Sequence, residues 1–209
     1  MGKIKAGILS PVSGKIGGVV GGKWKDKAYL RQFVVPANPQ TAGQITQRGL
    51  FGKAVDFGKN LVGPVFNVYT DMFQPKMSGF NFFIKRNITV FTSSPVYANI
   101  KITEGKLYAP ETPTASFGAS PGIMVVNWVG GTGSNGKASD PCFAVAYNVT
   151  KNTWGFFSAP HSRSTESVNM AMNWSAADVI HVWIFASQYE GTILKLISNS
   201  AHCLATYSV

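Results

Sequence analysis

Cysteine, histidine and acidic residues are scarce in this chain of 209 residues, and each scarcity removes a class of chemistry. Two cysteines, Cys142 and Cys203, are too few for a disulfide framework and lack the spacing of a zinc site, so buried free thiols are expected. His202 precedes Cys203, but neighbours on a strand point to opposite faces and cannot share a metal. His181 alternates with Ile180 and Val182 and reads as filling one face of a sheet. His161 lies in Ala159-Pro160-His161-Ser162-Arg163-Ser164, a loop with Glu166 nearby; a loop histidine beside serine arises often by chance, and no catalytic role is assigned to it. Asp140, Glu166, Asp178 and Glu190 are scattered at expected loops, where solvation or turn formation accounts for them. Gly130-Gly131-Thr132-Gly133-Ser134-Asn135-Gly136-Lys137 has the glycines of a phosphate loop. It has neither the Gly-Lys-Ser/Thr ending nor the following helix, and reads as a hairpin loop. No catalytic residue, cofactor or metal ligand is assigned, and the chain is expected not to be an enzyme.

Long hydrophobic runs are missing too. No stretch approaches the ~20 apolar residues of a membrane-spanning helix. The opening Met1-Gly2-Lys3-Ile4-Lys5 has the charge of a signal peptide, but Pro11, Ser13, Gly14 and Lys15 interrupt the apolar stretch before a secretory core forms. Intracellular synthesis without export by the general secretory route is expected.

Positive charge is present, and it is lopsided. Residues 1–106 hold 15 of the 19 Lys+Arg and 4 of the 9 Asp+Glu, so the formal net charge of +10 falls on the leading half. Charged residues make up only 13% of the chain, against roughly 25% in an average globular protein. With 22 glycines, 14 phenylalanines and 5 tryptophans, this suits a protein whose surface is partly covered by other subunits.

Three zones follow. Residues 1–40 form a basic, glycine-rich extended arm with short strands, Lys15–Val20 and Lys27–Val35, placed to pair as a hairpin or to join a neighbouring sheet. Residues 41–97 form a helical segment. Asn38 or Thr41 caps its first helix, Ile45, Phe51, Ala54, Val55, Leu61 and Val62 draw its apolar stripe, and Gly63-Pro64 ends it. Val65–Phe73 and a stretch from Ser78 supply two further helical pieces.

From residue 98 to 209 the period changes to two. The expected strands are Asn99–Thr103, Lys106–Ala109, Gly122–Val129, Cys142–Val149, Thr153–Ser158, Ser167–Met172, Val179–Ala186 and Thr192–Ser198. Strands of this length and spacing predict an antiparallel β-sandwich of the immunoglobulin or fibronectin type III sort, with Val179–Ala186 as a central strand.

Several motifs, in order, carry a resemblance. They are Gly2-Lys3-Ile4-Lys5-Ala6-Gly7-Ile8-Leu9, Ser13-Gly14-Lys15-Ile16-Gly17, Trp24-Lys25, Asn38-Pro39-Gln40-Thr41, Gln47-Arg48 with Phe51, Lys76-Met77-Ser78 with Phe80-Asn81, Asn87, Thr103-Glu104-Gly105-Lys106-Leu107, Trp128, and Ser198-Asn199-Ser200. In these the chain resembles a family of uncharacterised proteins found in Bacteroidetes and in their phages and prophages. The resemblance implies a basic N-terminal segment, a helical stretch and a C-terminal immunoglobulin-like sandwich. It transfers no catalytic residue, and its phage association implies a virion component.

Lys3, Lys5, Lys15, Lys23, Lys25, Lys27 and Arg31, interleaved with Trp24, Tyr29 and Phe33, are the candidate contact residues. They suit the phosphates and bases of nucleic acid, bound without sequence preference, or an acidic neighbouring subunit. An anionic membrane surface is a third partner, for which no amphipathic helix supplies grip. The functional expectation is a structural or assembly protein of a phage virion, capsid or capsid-associated, forming homo-oligomers. The rival is a cell-surface or secreted module whose loops at Gly130–Lys137 and His161–Ser167 grip a glycan or a protein.

Overall fold

A computed structural model describes residues 2–4 (backbone only), 13–24, 27–38, 40–70, 77–118, 122–156, 161–175 and 177–206. The chain is mainly β with short helices, and it divides into two compact units, Met1–Ala42 and Gly43–Val209.

In the first unit the alternating segments close on one another. Strands β1 (Gly2–Ile4), β2 (Gly14–Ile16), β3 (Val19–Trp24) and β4 (Lys27–Gln32) form an antiparallel sheet in the order β1-β4-β3-β2. The arm is therefore a small folded sheet, not an extended tail. The cause lies in the stretch Lys15–Val20, expected as one strand. Gly17 adopts φ 57°, and the two-residue turn Gly17-Gly18 folds that stretch into a hairpin with Ile16 opposite Val19. The ladder is extended past β4 by Phe33 N donating to Gly18 O at 2.8 Å.

In the second unit, α1 (Ala42–Gly58) does not stop at Gly63-Pro64. It passes through a 3-10 turn, Lys59–Leu61, into a π-helical segment, Val62–Thr70. Pro64 falls in the first turn of the wider helix, where its missing N–H leaves no bond of that segment unmade. Ala54, Phe57, Leu61, Val65, Phe66 and Tyr69 are buried along one side of this run. Ile45 and Phe51, counted in the expected apolar stripe, are 55% and 51% exposed, because the first turns of α1 extend past the core. α2 (Gly79–Asn87) starts at Ser78, whose Oγ accepts from Asn81 N at 3.3 Å. The buried Asn87 closes its end. Its amide donates to Phe83 O and Lys101 O, both at 2.9 Å, and its carbonyl accepts from Lys101 N at 2.8 Å.

The remaining strands are β5 (Glu111–Phe117), β6 (Ile123–Val129), β7 (Pro141–Asn148), β8 (Thr153–Phe156), β9 (His161–Ser162), β10 (Ser167–Ala171), β11 (Ile180–Glu190), β12 (Ile193–Ile197) and β13 (Ala201–Thr206). They join in one sheet, in the order β10-β6-β5-β13-β11-β7-β8, with β12 on β11 and β9 on β7. A sandwich has two separate layers. Here the parallel pair β5–β13 carries the ladder onward, and the sheet curls until its two ends meet. A Cβ placed on Gly155 of β8 would lie 3.2 Å from the Sδ of Met170, on β10, and of Met172 just beyond it.

The period of two sorts the side chains of this curled sheet. Ile180, Val182, Ile184 and Ala186 point into an inner core with Met124, Val126, Trp128, Met170 and Cys142. Trp183 and Phe185 point the other way, into a second core shared with Phe57, Leu61, Phe66 and Phe83 of the helices. β11 is thus covered on both faces, as its apolar run predicts, and the helices share a core with the sheet.

Two expected strands are absent. Residues 97–99 form a 3-10 turn, and Leu107 makes a single bridge to Ser198. The backbone there is satisfied by side chains. Thr103 Oγ1 donates to Ser198 O at 2.9 Å, Ser200 Oγ accepts from Ile102 N at 3.0 Å, and Asn199 Oδ1 accepts from Gly105 N at 3.1 Å. The motifs Thr103–Leu107 and Ser198–Ser200 therefore lie side by side and bind each other.

Candidate nucleic-acid interface

The four-stranded sheet sorts its cations by register. Residues directly opposite in an antiparallel pair share a face. β3 sets Val20 opposite Arg31, Gly22 opposite Tyr29, Lys23 opposite Ala28 and Trp24 opposite Lys27, while β2 sets Lys15 opposite Val20. Lys15, Trp24, Lys27, Tyr29 and Arg31 thus share one face, and Phe33 continues it. Lys23 falls on the opposite face with Ile16, Val19, Ala28 and Leu30. Lys3 stands opposite Tyr29 in the backbone register, and its side chain lies outside the described residues. Lys5 and Lys25 also lie outside them.

The basic face is built around its rings. Tyr29 leans across β3 so closely that a Cβ on Gly22 would meet its Cζ and hydroxyl oxygen at 2.9 Å, which is why glycine suits that position. Lys15 Nζ sits 3.8 Å from the centroid of Phe33, a cation–π contact that holds the ammonium over the ring. Trp24 is 69% exposed at the end of the hairpin. Within residues 1–42 there are seven Lys and Arg against one acid, Asp26. The face joins separated cations to flat apolar rings, the two elements that single-stranded nucleic acid binding requires.

The other sequence candidates lie elsewhere, in the second unit. His202 and Cys203 do point to opposite faces of β13. Cys203 packs against the inner core, and His202 packs on Trp183 at 5.4 Å between ring centroids. His181 Nδ1 and His202 Nε2 are 2.8 Å apart in a hydrogen bond that the sequence reading did not pair. Burial and then the neighbouring His202 push His181 down to about 4. Cys142 and Cys203 are free thiols, and burial pushes each up to about 12. Ser162 Oγ hydrogen-bonds Ser164 Oγ at 3.1 Å and Thr165 Oγ1 at 2.8 Å. Among the described residues, no group of three His, Cys, Asp or Glu is placed to hold a metal ion. No helix of the described chain is long and apolar enough to cross a membrane.

The loops 130–137 and 161–167 are tied to each other. Arg163 is fully buried. It donates to Gly131 O at 3.0 Å and Tyr108 O at 2.8 Å, and Asp140 Oδ2 lies 3.7 Å away. Glu166, at φ 57°, accepts from Gly130 N at 2.9 Å, and Asn135 joins Lys106 O and Tyr108 N. Asp178 likewise serves a turn. Although burial opposes it, bonds from Asn148, Lys151 and Ser175 hold its carboxyl below the usual range.

Residues 11–201 match the model of a family of unknown function, DUF6266, and no curated protein matches the chain. The chain belongs to that family.

Proposed function

We propose that this family member is a non-enzymatic structural or assembly protein whose N-terminal sheet binds nucleic acid through one face. The observation that carries this reading is the gathering of Lys15, Lys27 and Arg31 with Trp24, Tyr29 and Phe33 on a single side of four short strands. Spaced cations neutralise phosphates and release counterions, while the exposed indole of Trp24 and the half-buried phenol of Tyr29 stack on unpaired bases. The opposite face, with Ile16 and Val19 exposed, is the surface for a like subunit. In the virion of a phage, these two faces would join packaged genome to protein shell, and the virion would be the protein's working location. We also read the curled sheet as an immunoglobulin-like sandwich closed toward a barrel, its layers joined on one side by β5–β13 and meeting on the other at β8 and β10.

The loop-gripping alternative has less support. Arg163, Asp140 and Glu166 are engaged in tying those loops together, and Asn135 holds its loop to residues 106 and 108.

Fluorescence anisotropy of a labelled thymidine oligonucleotide, titrated with the full chain across a salt series, tests the proposal. Binding should weaken linearly in log salt, and the triple variant Lys15→Gln, Lys27→Gln, Arg31→Gln should shallow the slope by about 2. Trp24→Ala should cost about 1–3 kcal/mol with the slope unchanged. An unaltered slope in the triple variant would reject the proposal.

A further inference from the structure

Outside the basic sheet, the second unit holds an open cleft of about 900 Å3 between α1, the turn around Tyr97 and the β7–β8 hairpin. Buried Phe57 and Phe91 form its floor. Tyr97, Tyr147 and Trp154 stand half-buried along its wall. Their ring centroids are 5.7 Å apart for Tyr97–Tyr147 and 4.8 Å for Tyr147–Trp154, with planes inclined by 41° and 40°. Rings set at these angles form a stepped surface. They do not make the parallel-walled slot that would clamp a flat base.

The rim supplies hydrogen-bonding capacity with little net charge. Lys59 pairs with Asp56 Oδ1 at 3.0 Å, and Lys53 donates to Thr92 O at 2.9 Å, so both ammoniums already have acceptors. Asp56 keeps its second carboxylate oxygen available. Asn60 uses its amide nitrogen on Asp56 O at 3.4 Å, which leaves its carbonyl oxygen as an acceptor. Asn152 is held at φ 53° in the β7–β8 turn. It accepts from Tyr147 Oη at 2.9 Å, and its amide N–H groups remain as donors at the cleft. Burial raises the phenols of Tyr97 and Tyr147, so both stay protonated at neutral pH.

A pyranose ring has an apolar C–H face and a rim of hydroxyl groups that both donate and accept. A stepped aromatic wall bordered by carboxylate, amide and hydroxyl groups matches both features, and the volume falls in the range of small-molecule sites. We propose that this cleft binds a neutral oligosaccharide, with Trp154 and Tyr147 as the stacking platform and Asp56, Asn60 and Asn152 reading hydroxyl groups.

The test titrates the full chain with cellohexaose, chitohexaose and mannohexaose, following tryptophan emission and amide chemical shifts. At least one sugar should give a saturable response confined to the cleft segments 53–60, 91–97 and 147–154. Trp154→Ala should weaken it roughly tenfold. Because that change also trims the core, Asp56→Ala on the exposed surface of α1 serves as a second variant. It should weaken binding severalfold with an unchanged melting temperature. No response to any of the three sugars, shifts mapping elsewhere, or undiminished affinity in both variants would overturn the proposal. So would displacement of the sugar by a thymidine oligonucleotide.

Discussion

His181 and His202 share one hydrogen bond across β11 and β13, with Tyr97 and Trp183 packed against the pair. The bond cannot survive protonation of both rings, since two imidazolium rings offer two donors and no acceptor. His181 is accordingly lowered from 6.5 to about 4 by burial first and by His202 second. In the unfolded chain it titrates near its ordinary value, so between these limits the unfolded state binds more protons and stability rises with pH. The contribution is whole above pH 6.5 and is lost as pH falls toward 4. Melting temperatures recorded across this window should drop on acidification, and the double variant His181→Asn, His202→Asn should flatten the drop. The two thiols supply a second expectation at this scale. With both pushed up to about 12, neither forms thiolate at neutral pH. Ellman's reagent at pH 7.5 should label the native chain only as fast as it unfolds; rapid labelling of Cys203 would contradict its placement against the inner core.

Among the elements, the run from α1 into the π-helical segment packs on the sheet through a cluster of rings, with Phe57 as its hub. That ring meets Phe91 at 5.3 Å, Tyr147 at 5.1 Å and Trp154 at 4.7 Å between centroids. Phe57→Ala should cost about 3–5 kcal/mol in urea unfolding, whereas Phe51→Ala, at an exposed position of the same helix, should stay within about 0.5 kcal/mol. Equal losses would mean that both rings pack alike. The sequence makes β11 readable because Ile180 to Ala186 is apolar on both faces. It hides β5, where Pro113 interrupts a polar stretch and Thr112 at φ 39° opens a bulge between Glu111 and Thr114. It hides β13 because small Ala201, Cys203 and Ala205 fill the inward positions and give little periodic signal. The cations of the basic face are legible as a cluster. Their division between two faces is not, because it depends on the reversal at Gly17-Gly18 and on register. The cleft is less legible still, since its rings come from a helix, two turns and two strands.

Taken whole, the molecule is two compact units with different chemistry: residues 1–42 bear seven cations against one acid, and residues 43–209 hold both hydrophobic cores. A chain of residues 43–209 alone should therefore melt cooperatively near the temperature of the full protein and lose nucleic acid retention. A non-cooperative melt would show that the first unit is needed to complete the fold. The central claim is narrower, that one face of the small sheet meets nucleic acid. Lys23 and Lys27 are adjacent in the hairpin, carry the same charge and lie on opposite faces. The direct measurement is the salt dependence of thymidine oligonucleotide binding by Lys27→Gln and by Lys23→Gln. The account predicts a slope shallower by about 0.7 for Lys27→Gln and no change for Lys23→Gln; equal changes in the two variants would contradict it.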